Sequence, residues 1–120
     1  MSYNENLVNR VRESLVNLQK KVEEKRMFQG LTFMVDDKMC IGIRENEIMC
    51  RIDPKVYESA LEKIGCRPMI HGKRTIKGYV FVNEEGYRRK EDFDYWIGLC
   101  LEFNDKAKAS RKRKKETPKE

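Results

Sequence analysis

The chain has 120 residues and a mass of 14.3 kDa, which is a typical length for one domain. Hydrophobic residues make up 39% and charged residues 38%, so the chain can form one core and is too charged for a membrane protein. The sequence contains no apolar run near the ~20 residues of a membrane span, and its N-terminus lacks the pattern of a signal peptide. We therefore expect a soluble, cytoplasmic, single-domain protein.

The net charge of +6 is concentrated at the C-terminal end. From Asp105 onward eight basic residues accompany three acidic ones, a net of +5, so the first 104 residues carry a net of only +1. The body is therefore not predicted to be a basic nucleic-acid-binding domain. The tail is a candidate for weak, nonspecific contact with nucleic acid, and the alternative is a tail that is only solvated. The candidate contacts are Arg111, Lys112, Arg113, Lys114 and Lys115.

The cysteines do not form a metal-binding pattern. Cys40, Cys50, Cys66 and Cys100 contain no C-x-x-C pair, and His71 is the only histidine. Because structural zinc sites bring their ligands in closely spaced pairs, we expect no metal and no cofactor. We expect reduced, buried thiols. No catalytic residue is predicted, since neither a partner for His71 nor a buried carboxylate pair can be identified.

The first element is predicted to be an amphipathic helix. Ser2 and Glu5 fit a capping box, so the helix is expected to begin near Tyr3 and to end around residues 19–21. The apolar residues that recur at helical spacing are Leu7, Val11, Leu15, Leu18 and Val22.

A three-stranded antiparallel meander is predicted next. Residues 31–35 and 39–43 alternate in apolar character around a three-residue loop, and a two-residue loop at 45–46 leads into the third strand. Both registers place the same residues on one apolar face, which supports the meander. The predicted pairs are Leu31 with Ile43, Phe33 with Ile41, Val35 with Met39, Ile43 with Ile48, Ile41 with Cys50, and Met39 with Ile52.

The sequence from Asp53 onward predicts a helix, two strands and a final helix. Asp53 can cap a helix that begins at Pro54 and stops at Gly65. Strands are predicted at 66–70 and 76–82. The buried face of the first of these helices is predicted to contain Val56, Tyr57, Ala60, Leu61 and Ile64. The stripe of the final helix contains Phe93, Trp96, Ile97, Cys100, Phe103 and Ala107.

The resulting order, α-β-β-β-α-β-β-α, predicts a two-layer α+β domain with an antiparallel sheet and the helices on one face. We expect this domain to span residues 1–109. Residues 110–120 are predicted to be a disordered basic tail.

The sheet face turned away from the helices is the candidate partner surface. If Phe33 and Ile41 face the helices, the opposite face is rich in methionine and aromatic residues instead of polar ones. An exposed apolar face of this kind indicates a homodimer or a protein partner. The alternatives are that a helix or loop covers it, or that the last strand has the opposite phase. The candidate residues are Met34, Cys40, Met49, Arg51, Tyr79 and Phe81.

The chain contains a set of motifs at residues 23–34, 37–40 and 51–54, at Gly78-Tyr-Val, and at residues 94–96. These motifs resemble the TfoX N-terminal domain family as a stand-alone domain. Their order and spacing carry the resemblance, which covers essentially the whole folded chain. It implies a secretion-chaperone-like two-layer fold with the element order given above, and it implies no catalytic or ligand residues. Longer TfoX (Sxy) proteins regulate natural competence genes in bacteria and are thought to act with the cyclic-AMP receptor protein at promoters.

One motif departs from the family pattern, because the usual Met-Phe-Gly-Gly has Gln29 in place of its first glycine here. We expect a non-enzymatic protein-interaction module that is an accessory in bacterial transcriptional regulation. One alternative is a nucleic-acid-binding accessory protein that uses the basic tail. Another is an uncharacterised enzyme or small-ligand-binding protein, which predicts a concave pocket that includes Arg51, His71 or Tyr79.

Overall fold

One six-stranded antiparallel sheet organises the part of the chain that the structure, a computed structural model, describes: residues 3–27 and 29–107. The strand order is β1-β2-β3-β4-β6-β5, and the predicted α+β fold is confirmed. None of the helices in these residues is long and apolar enough to cross a membrane. The elements are α1 (Glu5–Leu15), β1 (Val22–Met27), β2 (Gly30–Val35), β3 (Lys38–Arg44), β4 (Glu47–Arg51), a 3₁₀ turn (Pro54–Val56), α2 (Tyr57–Leu61), β5 (Cys66–His71), β6 (Arg74–Val82), α3 (Glu84–Tyr87) and α4 (Lys90–Asn104).

Helix α1 is capped by Asn4. Ser2, the predicted capping residue, lies outside the described residues. The Asn4 side-chain oxygen accepts hydrogen bonds from the backbone N–H groups of Asn6 and Leu7 at 2.8 and 3.2 Å. Asparagine is as good a cap as serine, so the helix begins at Glu5, two residues later than predicted.

Strand β1 is an element that the sequence pattern does not predict. Helix α1 ends at Leu15, and Val22, predicted on the buried face of that helix, opens β1 and pairs with Val35. The β1 sequence is mostly charged, so its extended conformation comes from the hydrogen bonds to β2 and not from its own pattern. Because β1 is an edge strand, its charged side chains also disfavour pairing with another chain.

The β2–β3 hairpin has the predicted register only at the end away from its loop. Near the loop, Met34 takes the place of Val35 as the partner of Met39, and Cys40 becomes an extra residue in β3. This bulge reverses the phase of the strand, so Cys40 turns towards the helices and Met39 towards the opposite face. The loop then contains only residues 36–37, both with positive φ (55° and 67°), as a tight hairpin turn requires.

The second half of the chain follows the prediction closely. The Asp53 carboxylate caps the turn before α2 by accepting a backbone hydrogen bond at 2.9 Å. Gly65 has a φ of 81°, and Pro68 lies in the edge strand β5, where a missing N–H is tolerated. Ile64 is placed wrongly by the prediction. It is 74% exposed, because α2 ends at Leu61 and the chain turns away from the core.

The core lies between the helices and one face of the sheet. Helix α4 packs on β3 and β4, and its Trp96 is fully buried with its indole N–H donating to the Gly86 carbonyl at 3.1 Å. Val80 and Val82 are also fully buried, so the last strand has the predicted phase. The predicted boundary at residue 109 and the basic tail lie outside the described residues.

Candidate functional site

The sheet face turned away from the helices forms a groove of about 880 Å³, to which all six strands contribute. Five of the six methionines of the chain line it, and we call it the methionine groove. These residues are Met27, Met34, Met39, Met49 and Met69.

Two irregularities bring the β5–β6 hairpin to the rim of the methionine groove. Gly78 has a φ of 93°, and the register of β5 shifts between Pro68 and Ile70. The pairing of β6 with β4 ends at Tyr79, so the hairpin continues past β4 as a free tip. Side chains from this tip line the same groove as side chains from β1, at the opposite edge of the sheet.

Five of the six predicted surface residues line this groove: Met34, Met49, Arg51, Tyr79 and Phe81. The prediction for Cys40 is wrong. The bulge in β3 turns Cys40 towards α4, where it is 1% exposed and its Sγ lies 3.6 Å from the Cys100 carbonyl oxygen. Met39 occupies the place in the groove that regular alternation assigned to Cys40.

Two arginine side chains cover the Phe81 ring on this face of the sheet. Phe81 is 4% exposed and lies between Arg44 and Arg67, each with its guanidinium carbon 4.6 Å from the ring centroid. Arg67 is itself held by a two-point ion pair with Glu47 at 2.6 and 3.1 Å. The Phe81 ring is therefore not available to stack on a ligand.

A buried hydroxyl group lies beneath the groove. Thr32 is 1% exposed, and its Oγ1 has no hydrogen-bond partner among the residues that the structure describes. Thr32, Gly42 and Met49 border a void of about 10 Å³, and a Cβ at Gly42 would come within 2.8 Å of the Met49 methyl carbon. A water molecule needs about 10–15 Å³, so the void is at the lower limit for one water.

The acidic and basic residues that line the groove differ in their pairing. The carboxylates of Glu23 and Asp37 lie at one corner and share Lys21, whose Nζ is 3.6 and 3.2 Å away. The hydrogen bond that Lys21 donates to Asp37 raises the lysine pKa. Lys25 and Arg44 form no ion pair with any residue in the described ranges. The two acids therefore share one cation, whereas Lys25 and Arg44 have no carboxylate partner in this part of the chain.

The thiols are poorly suited to nucleophilic chemistry. Cys40, Cys50 and Cys100 are buried and Cys66 is half-buried, and all four are free. Burial raises the pKa of Cys40 and Cys100 far above the usual range and that of Cys66 to about 11, so these three thiols are neutral near pH 7. Within residues 3–27 and 29–107, no three His, Cys, Asp or Glu side chains are placed to hold a metal ion.

The polar residues named for a small-ligand pocket do line the same groove. The Arg51 guanidinium carbon lies 5.8 Å from the Tyr79 ring centroid, and Arg51 also donates to the Met39 carbonyl at 3.3 Å. His71 belongs to the tip of the β5–β6 hairpin at the rim. The lining of the groove therefore includes a cation, an imidazole and a phenol ring.

The turn that carries the unusual family motif has a strained residue followed by a required glycine. Gln29 has a φ of 63°, a conformation that glycine adopts at lower cost. Gly30 cannot carry a side chain, because a Cβ there would overlap the backbone carbonyl oxygen of Ile43. The sequence departs from the family motif at its first glycine, which is Gln29 here. It keeps the second glycine, Gly30, which the contact with the Ile43 carbonyl requires.

Comparison with protein families matches the chain to the TfoX N-terminal domain over residues 14–104. Comparisons with curated proteins and with solved structures give no match. The matched region contains all six strands and the whole of α4, and it covers three quarters of the chain. The chain therefore belongs to the TfoX N-terminal domain family.

Proposed function

We propose that this chain is a non-enzymatic protein-interaction module that binds a partner protein in the methionine groove. We further propose that it is a cytoplasmic accessory in bacterial transcriptional regulation, a role suggested by its family. The observation that carries the binding role is the presence of five methionines on one concave sheet face. Methionine side chains are flexible and polarisable, so surfaces rich in them adapt to apolar partners.

The packing of the domain supports a partner on this face. The core fills only the helix side of the sheet, and Met34, Met39 and Met69 on the other side remain half-exposed. An antiparallel sheet with one free face normally presents polar residues to water on that face. A contiguous apolar face with charged residues at its rim is typical of an interaction surface.

The binding role can be tested with a random-peptide display library selected on the immobilised full-length protein. Selected peptides are then measured against Met34→Glu and against Leu99→Glu, a matched control on α4 in the opposite layer. We expect Met34→Glu to weaken binding at least about tenfold and Leu99→Glu to leave it unchanged. Selected peptides that bind Met34→Glu as well as they bind the native protein would refute a partner site in the groove.

The regulatory role needs a cellular readout. Met34→Glu and Leu99→Glu are introduced separately at the native chromosomal locus, and transcripts are profiled for each strain. We expect transcript levels to change with Met34→Glu alone, at unchanged protein abundance. Identical profiles in the two variants and the parent strain would contradict a regulatory role that depends on the groove.

Small-ligand binding is a second candidate function, favoured by the presence of Arg51, His71 and Tyr79 in one groove. The volume of about 880 Å³ lies within the usual range of ligand sites. A thermal-shift series with amphiphilic carboxylates of increasing chain length tests it. A rise in Tm that is present in the native protein and absent in Met34→Glu would support this function, and the absence of any shift would exclude this ligand class.

A further inference from the structure

The pairing of charges in the methionine groove indicates the chemistry of its partner. We propose that the groove binds an amphipathic helix of another protein, with acidic side chains on both sides of its apolar stripe. This inference rests on the proposed function and specifies the partner at the same site.

The first argument is charge complementarity. The two carboxylates that line the groove share one ion-pair partner, Lys21, whereas Lys25 and Arg44 have no carboxylate partner in the described ranges. With Lys21 included, four cations face two carboxylates, a surplus of two positive charges. The tip of the β5–β6 hairpin, residues 71–77, adds three further cations and no acid. A partner with carboxylates beside its apolar residues would satisfy these cations at the rim and would be steered towards them.

The second argument excludes other occupants. The chain's own residues 108–120 contain seven basic and two acidic residues and little apolar surface, so they match neither the charge nor the lining of the groove. A second copy docked symmetrically through its groove would bring Lys25 and Arg44 of both chains into one interface. Single-stranded nucleic acid stacks successive bases on several exposed rings. Of the two phenyl rings that line the groove, Phe81 is closed between two guanidinium groups, which leaves Tyr79 alone partly exposed.

The third argument concerns the shape of the partner. The apolar lining lies on the face of the sheet, whereas an extended peptide adds to a sheet at an edge. Both edges are protected, β1 by its charges and β5 by Pro68 and an irregular register. Six strands span about 24 Å at ~4.8 Å per interval, which is the length of a helix of about 16 residues.

Three synthetic 16-residue peptides test the proposal with the full-length protein. The first has leucines at helical spacing and glutamates elsewhere, the second has lysines in place of the glutamates, and the third has the composition of the first in an order that destroys the stripe. Binding is measured by fluorescence anisotropy at about 0.15 M salt, because this salt concentration limits long-range attraction between exposed charges. We expect the first peptide to bind at least about tenfold more tightly than the other two.

Paired variants separate the groove from the overall charge of the protein. Lys25→Glu combined with Arg44→Gln should lower the affinity for the glutamate peptide about tenfold, whereas a control that removes as much charge from the tail, Lys112→Glu with Lys114→Gln, should leave it within about twofold. Equal losses in the two double variants, or equal binding of the lysine peptide, would overturn the proposal.

The outcomes also distinguish this inference from the proposed function. If library peptides depend on Met34 but are basic or uncharged, the protein-binding role stands and the acidic partner is wrong. If neither the library peptides nor the synthetic peptides bind Met34→Glu more weakly than the native protein, both proposals fail. Sedimentation equilibrium that shows a dimer dissociated by Met34→Glu would replace the acidic partner with a second copy of the chain.

Discussion

Replacing Thr32 with valine should stabilise the protein. The Thr32 hydroxyl is 1% exposed and has no hydrogen-bond partner in the described part of the chain, so folding removes it from water without compensation. Leaving such a group unpaired costs about 1–3 kcal/mol, and valine keeps the shape of the side chain without the hydroxyl. We therefore expect Thr32→Val to raise the free energy of unfolding by about 1–2 kcal/mol.

Urea denaturation followed by the fluorescence of the buried Trp96 measures this change. An unchanged m-value would show that the native protein and the variant expose the same surface on unfolding, so their free energies of unfolding can be compared. For about 100 ordered residues, a gain of this size corresponds to a rise in Tm of roughly 4–9 °C. Thr32→Ser is the matched control: it keeps the hydroxyl, loses one methyl group and should cost about 1 kcal/mol. A Thr32→Val protein that is no more stable than the native one would refute the reasoning and indicate a water in the void beside Thr32.

Three further predictions concern a turn, an ion pair and the tail. Gln29→Gly should raise the free energy of unfolding by about 0.5–1 kcal/mol in urea, because glycine relieves the positive φ at this residue. The ion pair that Arg12 forms with Glu24 at 2.7 Å lowers the pKa of Glu24. The ion pair therefore stabilises the folded protein at neutral pH, and this contribution is lost as the pH falls below about 4.3 and the carboxylate becomes protonated. Glu24→Gln should accordingly reduce the loss of stability in acid, measured by denaturation as a function of pH. If the basic tail binds nucleic acid, deleting residues 110–120 should abolish DNA binding at physiological salt, measured on specific and scrambled duplexes across a salt series; sequence-selective binding by the truncated chain would show that the folded surface binds DNA.

The sequence predicts the fold well where local pattern and pairing agree. Alternation around the loop at 45–46 identifies the pairs Ile43 with Ile48 and Ile41 with Cys50, and the Asp53-Pro54 pair identifies the start of the second helix. The predicted pair of Met39 with Ile52 is wrong, because the bulge at Cys40 turns Met39 to the opposite face from Ile52. Strand β1 is missed because its conformation depends on pairing with β2, and its charged sequence has no strand pattern of its own. The length of α1 is overestimated for the related reason that Val22 fits the helical spacing by coincidence.

The candidate site is predicted less completely than the fold. Strict alternation places Met34 and Met49 correctly, but it cannot detect the extra residue that exchanges Cys40 for Met39. Met27 is missed together with β1. The closure of Phe81 by two arginines is a contact between separate strands that no local spacing contains.

The groove is made by the features that a regular sheet lacks. The bulge at Cys40 adds a methionine to the open face, and the irregular backbone at Gly78 and at residues 68–70 carries the hairpin tip to the rim. A regular sheet of this composition would be flatter and would have a cysteine where Met39 now lies. The bulge also places Cys40 in the core on the other face, so it acts on both faces of the sheet. Local departures from regularity often mark functional sites, and here three of them shape one surface, which is why we place the function of the domain there.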